Sequence, residues 1–596
     1  MGDAADPRAT WPRWSIALVC LAVLMAAYGP SLRGDFLMSD RDALVTNLKL
    51  VGPAGLASIW LPDAADGFAP LDQYQPLTYT SFWLERQVWG LRPAGYRAIN
   101  LLLHALNSLL VWQLLRRLGV RGAALAAAIF ALHPVNVESV AWIYERKNVL
   151  SGLFYLLALL AWEDGRRGSR YAASLALFGA ALLSKTSTVM LPVVVIGIGW
   201  ARREAWSWAR ARRIAPFFAM AGAMALVTVG YETSVTGASG GAYAAAPLER
   251  ALRAGWVVAF HAAKVLVPAK LAFFYPSPPV EPNTWVAALP DLVLVALVAI
   301  LVWRRNGWGR TPLLAVGYYL VMMFPVLGFF DIFYHRFSLM ADHFQYLATI
   351  GLIAGVVHAA VGWLERAGHV APGTGIRGQP LLARVAAVAV VGVFFALTWQ
   401  RSHAFTNDGA LALDSAAKYP DSWIAHQKSG EYFLGLATRN PARAMPLAWQ
   451  AAEHLERAQV LRPGHPQVND SLGVAYALGG RSDDARRQLR RAIDADPDNA
   501  SYRVNLARVL ENAARPEAAF AEYRAAVRAA PERPRVRILF AQALFRAGRY
   551  REATVELELA EAQASRSKPG DPRAASVAKQ AAELRREIAA RQTTGP

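Results

Sequence analysis

The chain has one cysteine, Cys20, among 596 residues. No intrachain disulfide, zinc knuckle or cysteine-ligated cluster can be built from it. Lying inside an apolar run, it reads as a small buried residue. Charge is scarce too: only 18% of residues are Asp, Glu, Lys or Arg, against about 25% in soluble domains. With 55% hydrophobic residues, this excludes a wholly soluble chain, a disordered one, and collagen-like or disulfide-scaffold classes. Also missing are a P-loop, a Gly-x-Gly-x-x-Gly after a strand, a His-Glu-x-x-His and a Gly-x-Ser-x-Gly in strand-to-helix context. The charge that is present is one-sided, +19 from 63 Lys and Arg against 44 Asp and Glu. In a membrane protein such an excess sits in cytoplasmic loops, so no nucleic-acid partner is expected.

Mean hydropathy is +0.22. Up to about residue 404 the sequence is mainly apolar runs separated by short Arg-rich loops. Most runs are about 17–22 residues, enough to cross a hydrocarbon core of about 30 Å. The expected spans are roughly 14–30, 96–115, 122–140, 149–163, 171–187, 189–201, 214–231, 286–303, 312–330, 344–364 and 383–400, about eleven in all. The fifth and sixth meet at Ser184-Lys185-Thr186 as a tight hairpin. Alternate loops are basic (Arg116, Arg117 and Arg121; Arg166, Arg167 and Arg170; Arg202 and Arg203; Arg304 and Arg305; Arg366 and Arg377). These are therefore cytoplasmic, with the N-terminus inside and the C-terminal domain outside. The stretch 252–274 carries His261, Lys264 and Lys270 and ends in Tyr275-Pro276-Ser277-Pro278-Pro279. The charge pattern stays in phase only if this stretch does not cross, which makes it an interfacial or re-entrant helix. The first run ends in Ala26-Ala27-Tyr28-Gly29-Pro30, without a good small-x-small cleavage site, and reads as a retained signal-anchor.

The tail repeats itself. Pro463, Pro497 and Pro531 recur every 34 residues, as do Ala485, Ala519 and Ala553, and Leu472, Leu506 and Phe540. That period is the tetratricopeptide signature. Small residues let paired helices approach, and proline ends the second helix of each pair. The reading is a solenoid over 405–567, with three clear repeats at about 466–567 and a divergent one at about 422–462. A capping helix and loose end follow over 568–596. Such solenoids offer a concave surface to an extended peptide. The expected fold class is all-α: a polytopic membrane helix bundle over 1–404, then an α-solenoid.

Polar groups beside membrane spans are costly unless they line a cavity, so they are site candidates. Four outward loops carry them. The first holds Asp40-Arg41-Asp42. The second runs from His133 through Glu138 to Glu145-Arg146-Lys147-Asn148. The third is Ser184-Lys185-Thr186, and the fourth holds His335-Arg336, Asp342, His343 and Tyr346. Carboxylates and cations on one face suit a lipid-linked anionic substrate: cations hold phosphate and a carboxylate acts as base. Asp-x-Asp could also ligate a divalent metal through oxygens, and no metal is assigned.

Five stretches, Phe36–Asn47, Gln75–Trp83, Gly95–Leu110, His133–Leu150 (HPVNVESVAWIYERKNVL) and Ala341–Gly351 (ADHFQYLATIG), resemble bacterial relatives of the transmembrane and tetratricopeptide-containing O-mannosyltransferases, which are GT-C glycosyltransferases. The resemblance implies a polyprenyl-phosphate sugar as donor substrate and no resident cofactor. It implies transfer to a protein Ser or Thr hydroxyl on the periplasmic side of a bacterial inner membrane, with an acidic residue of the first outer loop as base. On that basis Asp40, then Asp42, are the catalytic candidates. Arg146, Lys147 and Lys185 are donor-phosphate candidates. His133, Glu138, Asp342, His343 and Tyr346 would shape the sugar or acceptor pocket, and the repeats would bind acceptor or partner protein. The family usually has adjacent acids where this sequence has Asp-Arg-Asp. Two rival readings stand beside this one: a non-enzymatic membrane scaffold, and a lipid-linked glycan ligase or polymerase.

Overall fold

The computed structural model describes residues 13–61, 73–163, 168–235, 245–276, 285–336, 338–373, 378–565 and 572–593. Arg166, Arg167, Arg377 and Ser277-Pro278-Pro279 lie outside them. The chain divides into two compact units, Met1–Lys418 and Tyr419–Pro596. Among the described residues the regular structure is helical, with no strand.

The first unit begins with α1 (Arg13–Ala27) and, after the short helices Gly29–Leu32 and Gly52–Trp60, continues with α2 (Pro76–Trp89) and α3 (Pro93–Arg117). Proline opens α2 and α3, where its missing N–H costs nothing. After α3 come α4 (Ala123–Leu132), α5 (Val137–Ala141), α6 (Arg146–Glu163), α7 (Gly168–Ser184), α8 (Leu191–Ala201) and α9 (Trp208–Ser234). The unit closes with α10 (Pro247–Leu266), α11 (Trp285–Trp303), α12 (Arg310–Met323), α13 (Thr349–Arg366), α14 (Leu381–Ser402) and α15 (Asp408–Lys418). The compact unit thus runs past residue 404 and includes α15.

Four helices among the described residues are long and apolar enough to cross a membrane by themselves: Pro93–Arg117, Trp208–Ser234, Trp285–Trp303 and Leu381–Thr406. The pair Ala123–Leu132 and Pro134–Ala141, bent by 46°, makes a fifth if it is one span. Trp14–Ala27, Thr186–Ala201 and Arg310–Val326 contain shorter apolar helices. This is the pattern of a multi-pass membrane protein, with four or five spans identified where the sequence suggested about eleven. α11 and α14 leave their apolar side chains uncovered, as lipid-facing helices do (Leu292 is 63% exposed and Leu382 81%). α10 ends at Leu266, and the chain from Val267 to Tyr275 is not helical, so the ambiguous stretch 252–274 is a helix only in its first part.

The core of this unit is where α3, α6 and α7 pack together. Gly152 on α6 lets α3 and Tyr346 come close, since a Cβ there would lie 3.1 Å from both Asn107 Nδ2 and Tyr346 Cε1.

In the second unit four helix pairs follow one another: Trp423–Arg439 with Ala444–Leu461, Pro466–Leu478 with Ser482–Ala495, Ala500–Asn512 with Pro516–Ala529, and Pro534–Arg546 with Tyr550–Ala564. The helix Pro572–Thr593 follows them. Leu455, Leu472, Ala485, Leu489, Leu506 and Ala519 belong to one continuous buried cluster. Gly473 is needed for close approach, because a Cβ there would sit 2.6 Å from Leu489 Cγ.

Candidate active site

The segment 133–150 bends twice, and the bends bring its polar groups inward. α4 stops at Leu132, and the following proline cannot supply a helical N–H. Pro134–Asn136 forms one 3₁₀ turn, closed by Asn136 Nδ2 donating to Phe130 O at 2.8 Å. α5 then carries Glu138, fully buried. Trp142 is extended, a second 3₁₀ turn spans Ile143–Glu145, and α6 begins at Arg146.

Glu145 is the hub. Its carboxylate is fully buried and pairs with Lys147 Nζ at 3.1 Å and Lys185 Nζ at 3.4 Å. Lys185 comes from the break between α7 and the next 3₁₀ turn, where the backbone is extended, and its Nζ also donates to Asn148 Oδ1 at 2.6 Å. The Asn148 amide donates to Glu145 Oε2 at 2.7 Å and to His343 O at 2.8 Å, which ties α6 to the 3₁₀ turn Asp342–Gln345. Lys147 Nζ lies 3.9 Å from the Tyr144 ring centroid and donates to Gln73 Oε1 at 3.2 Å. One carboxylate thus serves two ammonium groups.

Beside it lies an acid pair. Glu138 is bonded to His343 Nδ1. Tyr275 donates to Asp342 Oδ1 at 2.9 Å, and Arg401 Nη2 lies 4.0 Å from Asp342 Oδ2. Burial pushes Asp342 above the usual carboxylate range, against the pull of Arg401 and the Tyr275 hydroxyl. Glu138 Oε2 and Asp342 Oδ2 are buried acceptors with no hydrogen-bond partner among the described residues. Asn148, Ser151, Phe344 and Tyr346 line a small recess nearby.

Asp40 is fully buried, and each of its oxygens accepts one backbone N–H: Leu37 N at 2.9 Å and Tyr144 N at 2.7 Å. It therefore joins the loop after α1 to the turn that carries Glu145. Burial raises its carboxyl to about 7, against the N–H of Leu37, the Arg97 guanidinium and the N–H of Tyr144. Arg97 is buried as well, and donates to Ala141 O at 3.0 Å and to the carbonyls of Gly34 and Asp35. Asp42, two residues on, is exposed.

The other candidates are engaged in packing. Arg146 is shut in against Glu85, Asn100 and the carbonyl of Tyr96. His133 Nε2 donates to Val265 O at 2.9 Å while Nδ1 accepts from Val135 N. His104 Nε2 donates to Ala131 O at 2.9 Å, so its Nδ1 accepts the Tyr346 hydroxyl at 2.8 Å. The structure thus brings Glu138, Lys147, Lys185, Asp342 and His343 together, with Asp40 one turn away. Arg146, His133 and Tyr346 support the fold around them, and Asp42 stands apart. Glu145 was visible in the sequence only as part of a charged run, and its place at the centre comes from the two bends. Glu85, Arg97 and Arg401 carried no sequence signal.

Residues 76–231 match the family model of the dolichyl-phosphate-mannose-protein mannosyltransferases. Residues 450–500 and 472–534 match that of the tetratricopeptide repeat. The chain is 29% identical over 204 residues to the human protein O-mannosyl-transferase TMTC4, covering 30% of this chain and 28% of that one. It is 30% identical over 180 residues to Drosophila melanogaster Tmtc1, covering 28% and 21%. It is 33% identical over 151 residues to Mus musculus TMTC2, covering 24% and 18%. The matched part therefore spans less than a third of these curated relatives. Among solved structures, the MamA protein aligns with 18% identity and TM-score 0.23 over 26% of this chain and 81% of that one. A tetratricopeptide protein of Thermus thermophilus aligns with 21% identity and TM-score 0.22 over 28% and 92%. The chain combines a segment of a glycosyltransferase family with tetratricopeptide repeats, and is a relative of the O-mannosyl-transferases named above.

Proposed function

We propose that the protein transfers a sugar from a polyprenyl-phosphate carrier to a Ser or Thr hydroxyl of an acceptor protein, on the periplasmic face of a bacterial inner membrane. The observation that carries this reading is Asp40: a buried carboxylate in the loop after α1, raised toward neutrality and joined through the N–H of Tyr144 to the turn bearing Glu145. A carboxylate has about four lone-pair positions, and the two backbone bonds use two of them. Asp40 takes the hydroxyl proton as the hydroxyl oxygen bonds to the anomeric carbon. The bond from that carbon to the phosphate oxygen breaks, and polyprenyl phosphate leaves with the electron pair. Lys147 and Lys185, which share the one carboxylate of Glu145, meet the negative charge that builds on the phosphate. Glu138 Oε2 and Asp342 Oδ2 are acceptors suited to sugar hydroxyls. Arg146 is assigned to the framework rather than to the phosphate, because Glu85 already neutralises it. The repeat unit, Tyr419–Pro596, is assigned to acceptor or partner protein, as such solenoids bind extended peptides.

The test is incubation of the purified protein with a panel of radiolabelled polyprenyl-phosphate sugars and a mixed peptide pool, beside Asp40→Ala, Asp42→Ala and the double variant. Label transferred by the parent and lost with Asp40→Ala is the expected result. Equal transfer by parent and double variant would overturn the assignment of the base.

A further inference from the structure

The loop that carries Asp40 is held from an unexpected quarter. Met38 has φ +39°, a left-handed backbone that side chains other than glycine avoid. Two contacts flank it. Its own N–H donates to Asp408 Oδ1 at 2.8 Å, across 370 residues of sequence. Arg41 Nη1 pairs with Asp408 Oδ2 at 3.3 Å. Just upstream the loop meets the same segment again: Asp35 N donates to Thr406 O at 2.8 Å. A Cβ on Gly34 would lie 2.6 Å from Thr406 O, so only glycine fits there. Asp408 opens α15, where an acidic residue ordinarily just complements the positive helix end. Here both its oxygens reach across to the loop instead.

We propose that Asp408 is the positioning residue of the Asp40 loop: its carboxylate holds Met38 in the left-handed turn from which the chain delivers Asp40 to the N–H of Tyr144. A non-glycine residue persists in such a conformation only where its surroundings over-determine it, and such residues gather at functional sites. The surroundings here are Asp408 on one side and, on the other, Arg97 binding the carbonyls of Gly34 and Asp35. α15 ends at Lys418, the last residue of the first unit, so the element that sets the Asp40 loop is also the one from which the repeat unit departs along the chain. The kinetic consequence rests on Asp40 being the base; the clamp itself does not.

The charged and titratable groups around Asp40 are Arg97 on α3, Asp408 on α15, and Asp35, Arg41 and Asp42 on the loop itself, with Tyr144 on the facing turn. Asp408 is a like charge and favours the protonated form of Asp40, whereas Arg97 favours the ionised one.

The experiment uses the full chain in detergent and reads two quantities: amide exchange at Met38, and kcat of sugar transfer against pH. Asp408→Ala is expected to speed exchange at Met38 by about tenfold, the loss of one hydrogen bond to a charged group, and to lower kcat with the donor KM unchanged. Asp408→Asn keeps an acceptor for the Met38 N–H but removes the charge. It should leave exchange near the parent value and move the acidic limb of the rate profile to lower pH. Adding Met38→Gly to Asp408→Ala should recover part of the lost kcat, because glycine adopts φ +39° unaided. Unchanged exchange at Met38 in a folded Asp408→Ala protein, shown folded by parent-like protection of α3, would overturn the clamp. Faster exchange with unchanged kcat would overturn the positioning role. If Asp408→Ala does not fold, Met38→Gly with Asp408→Ala carries the test: failure to restore folding or kcat would overturn the proposal. Asp40→Asn separates this from the base assignment, since its full activity would end that assignment while the exchange readout still judges Asp408.

Discussion

Arg146 and Glu85 face each other across 61 residues of sequence, the guanidinium wholly closed to solvent, and join α2 to the first residue of α6. Breaking a buried pair from one side strands a charge and costs about 3–5 kcal/mol. Arg146→Met should therefore lower the thermal unfolding midpoint sharply. The double variant Arg146→Met/Glu85→Met should recover much of that loss and keep most transfer activity. A phosphate-binding arginine would behave differently, with activity staying lost in the double variant whatever its stability.

Asp40 and Asp42 separate in burial and so should separate in effect. General-base catalysis is worth about 10²–10⁴-fold, and Asp40→Asn should lose at least the lower of these in kcat. Asp42→Asn, altering an exposed group, should stay near the parent. A base works ionised, and Asp40 is raised to about 7. Transfer should thus fall as pH drops through about 7 and level off above it. A profile flat from pH 6 to 8 would speak against Asp40.

Glu145 holds two ammonium groups with one carboxylate. Glu145→Gln removes the carboxylate that Lys147 and Lys185 share. The variant should be less stable, yet should bind polyprenyl phosphate more tightly at low salt, because more positive charge is then uncompensated. Lys185→Met should shift binding the other way. Calorimetry or fluorescence binding at two salt concentrations would read both.

In the repeat unit, Asp470 accepts from Asn505 Nδ2 at 2.9 Å, and burial raises it from 3.8 to about 6 despite that bond. A raised carboxyl means that the folded state binds the proton more tightly than the unfolded state. Its ionisation at neutral pH is therefore a cost, which fades as pH falls from about 6 and is gone below 3.8. Asp470→Asn should stabilise the unit by about 2 kcal/mol at pH 7.5, and the gain should vanish near pH 3.8. Thermal unfolding at both pH values checks it.

The repeats were legible because small and apolar residues recur at one spacing, and the helix pairs fall where Pro463, Pro497 and Pro531 divide them. The charged runs between the apolar stretches were equally visible. What they do was not, since a sequence shows that Glu145, Arg146 and Lys147 are neighbours but not that a 3₁₀ turn sends Arg146 one way, toward Glu85, and Lys147 another, toward Gln73. His133 was a pocket candidate as a polar group beside a span within a stretch that carries the family resemblance, and the structure spends its two nitrogens on Val265 O and Val135 N. Met38 gave no signal, because nothing in a methionine announces a left-handed turn.

The break after Leu132 also bears on how the chain reaches the bilayer during synthesis. α4 has ten residues, about 15 Å of helix, half of a hydrocarbon core of about 30 Å. By itself it is too short to be held across the membrane when it leaves the ribosome. α3, at 25 residues, is long enough. α4 reaches that thickness only together with Pro134–Ala141 across the 46° bend, and the polar half of the pair, with Glu138, finds its partners only once α6 and the Asp342–Gln345 turn have been made. The acid pair is thus a late product of assembly, and truncation before residue 342 should leave a membrane-inserted chain with Glu138 still open to water-borne modification.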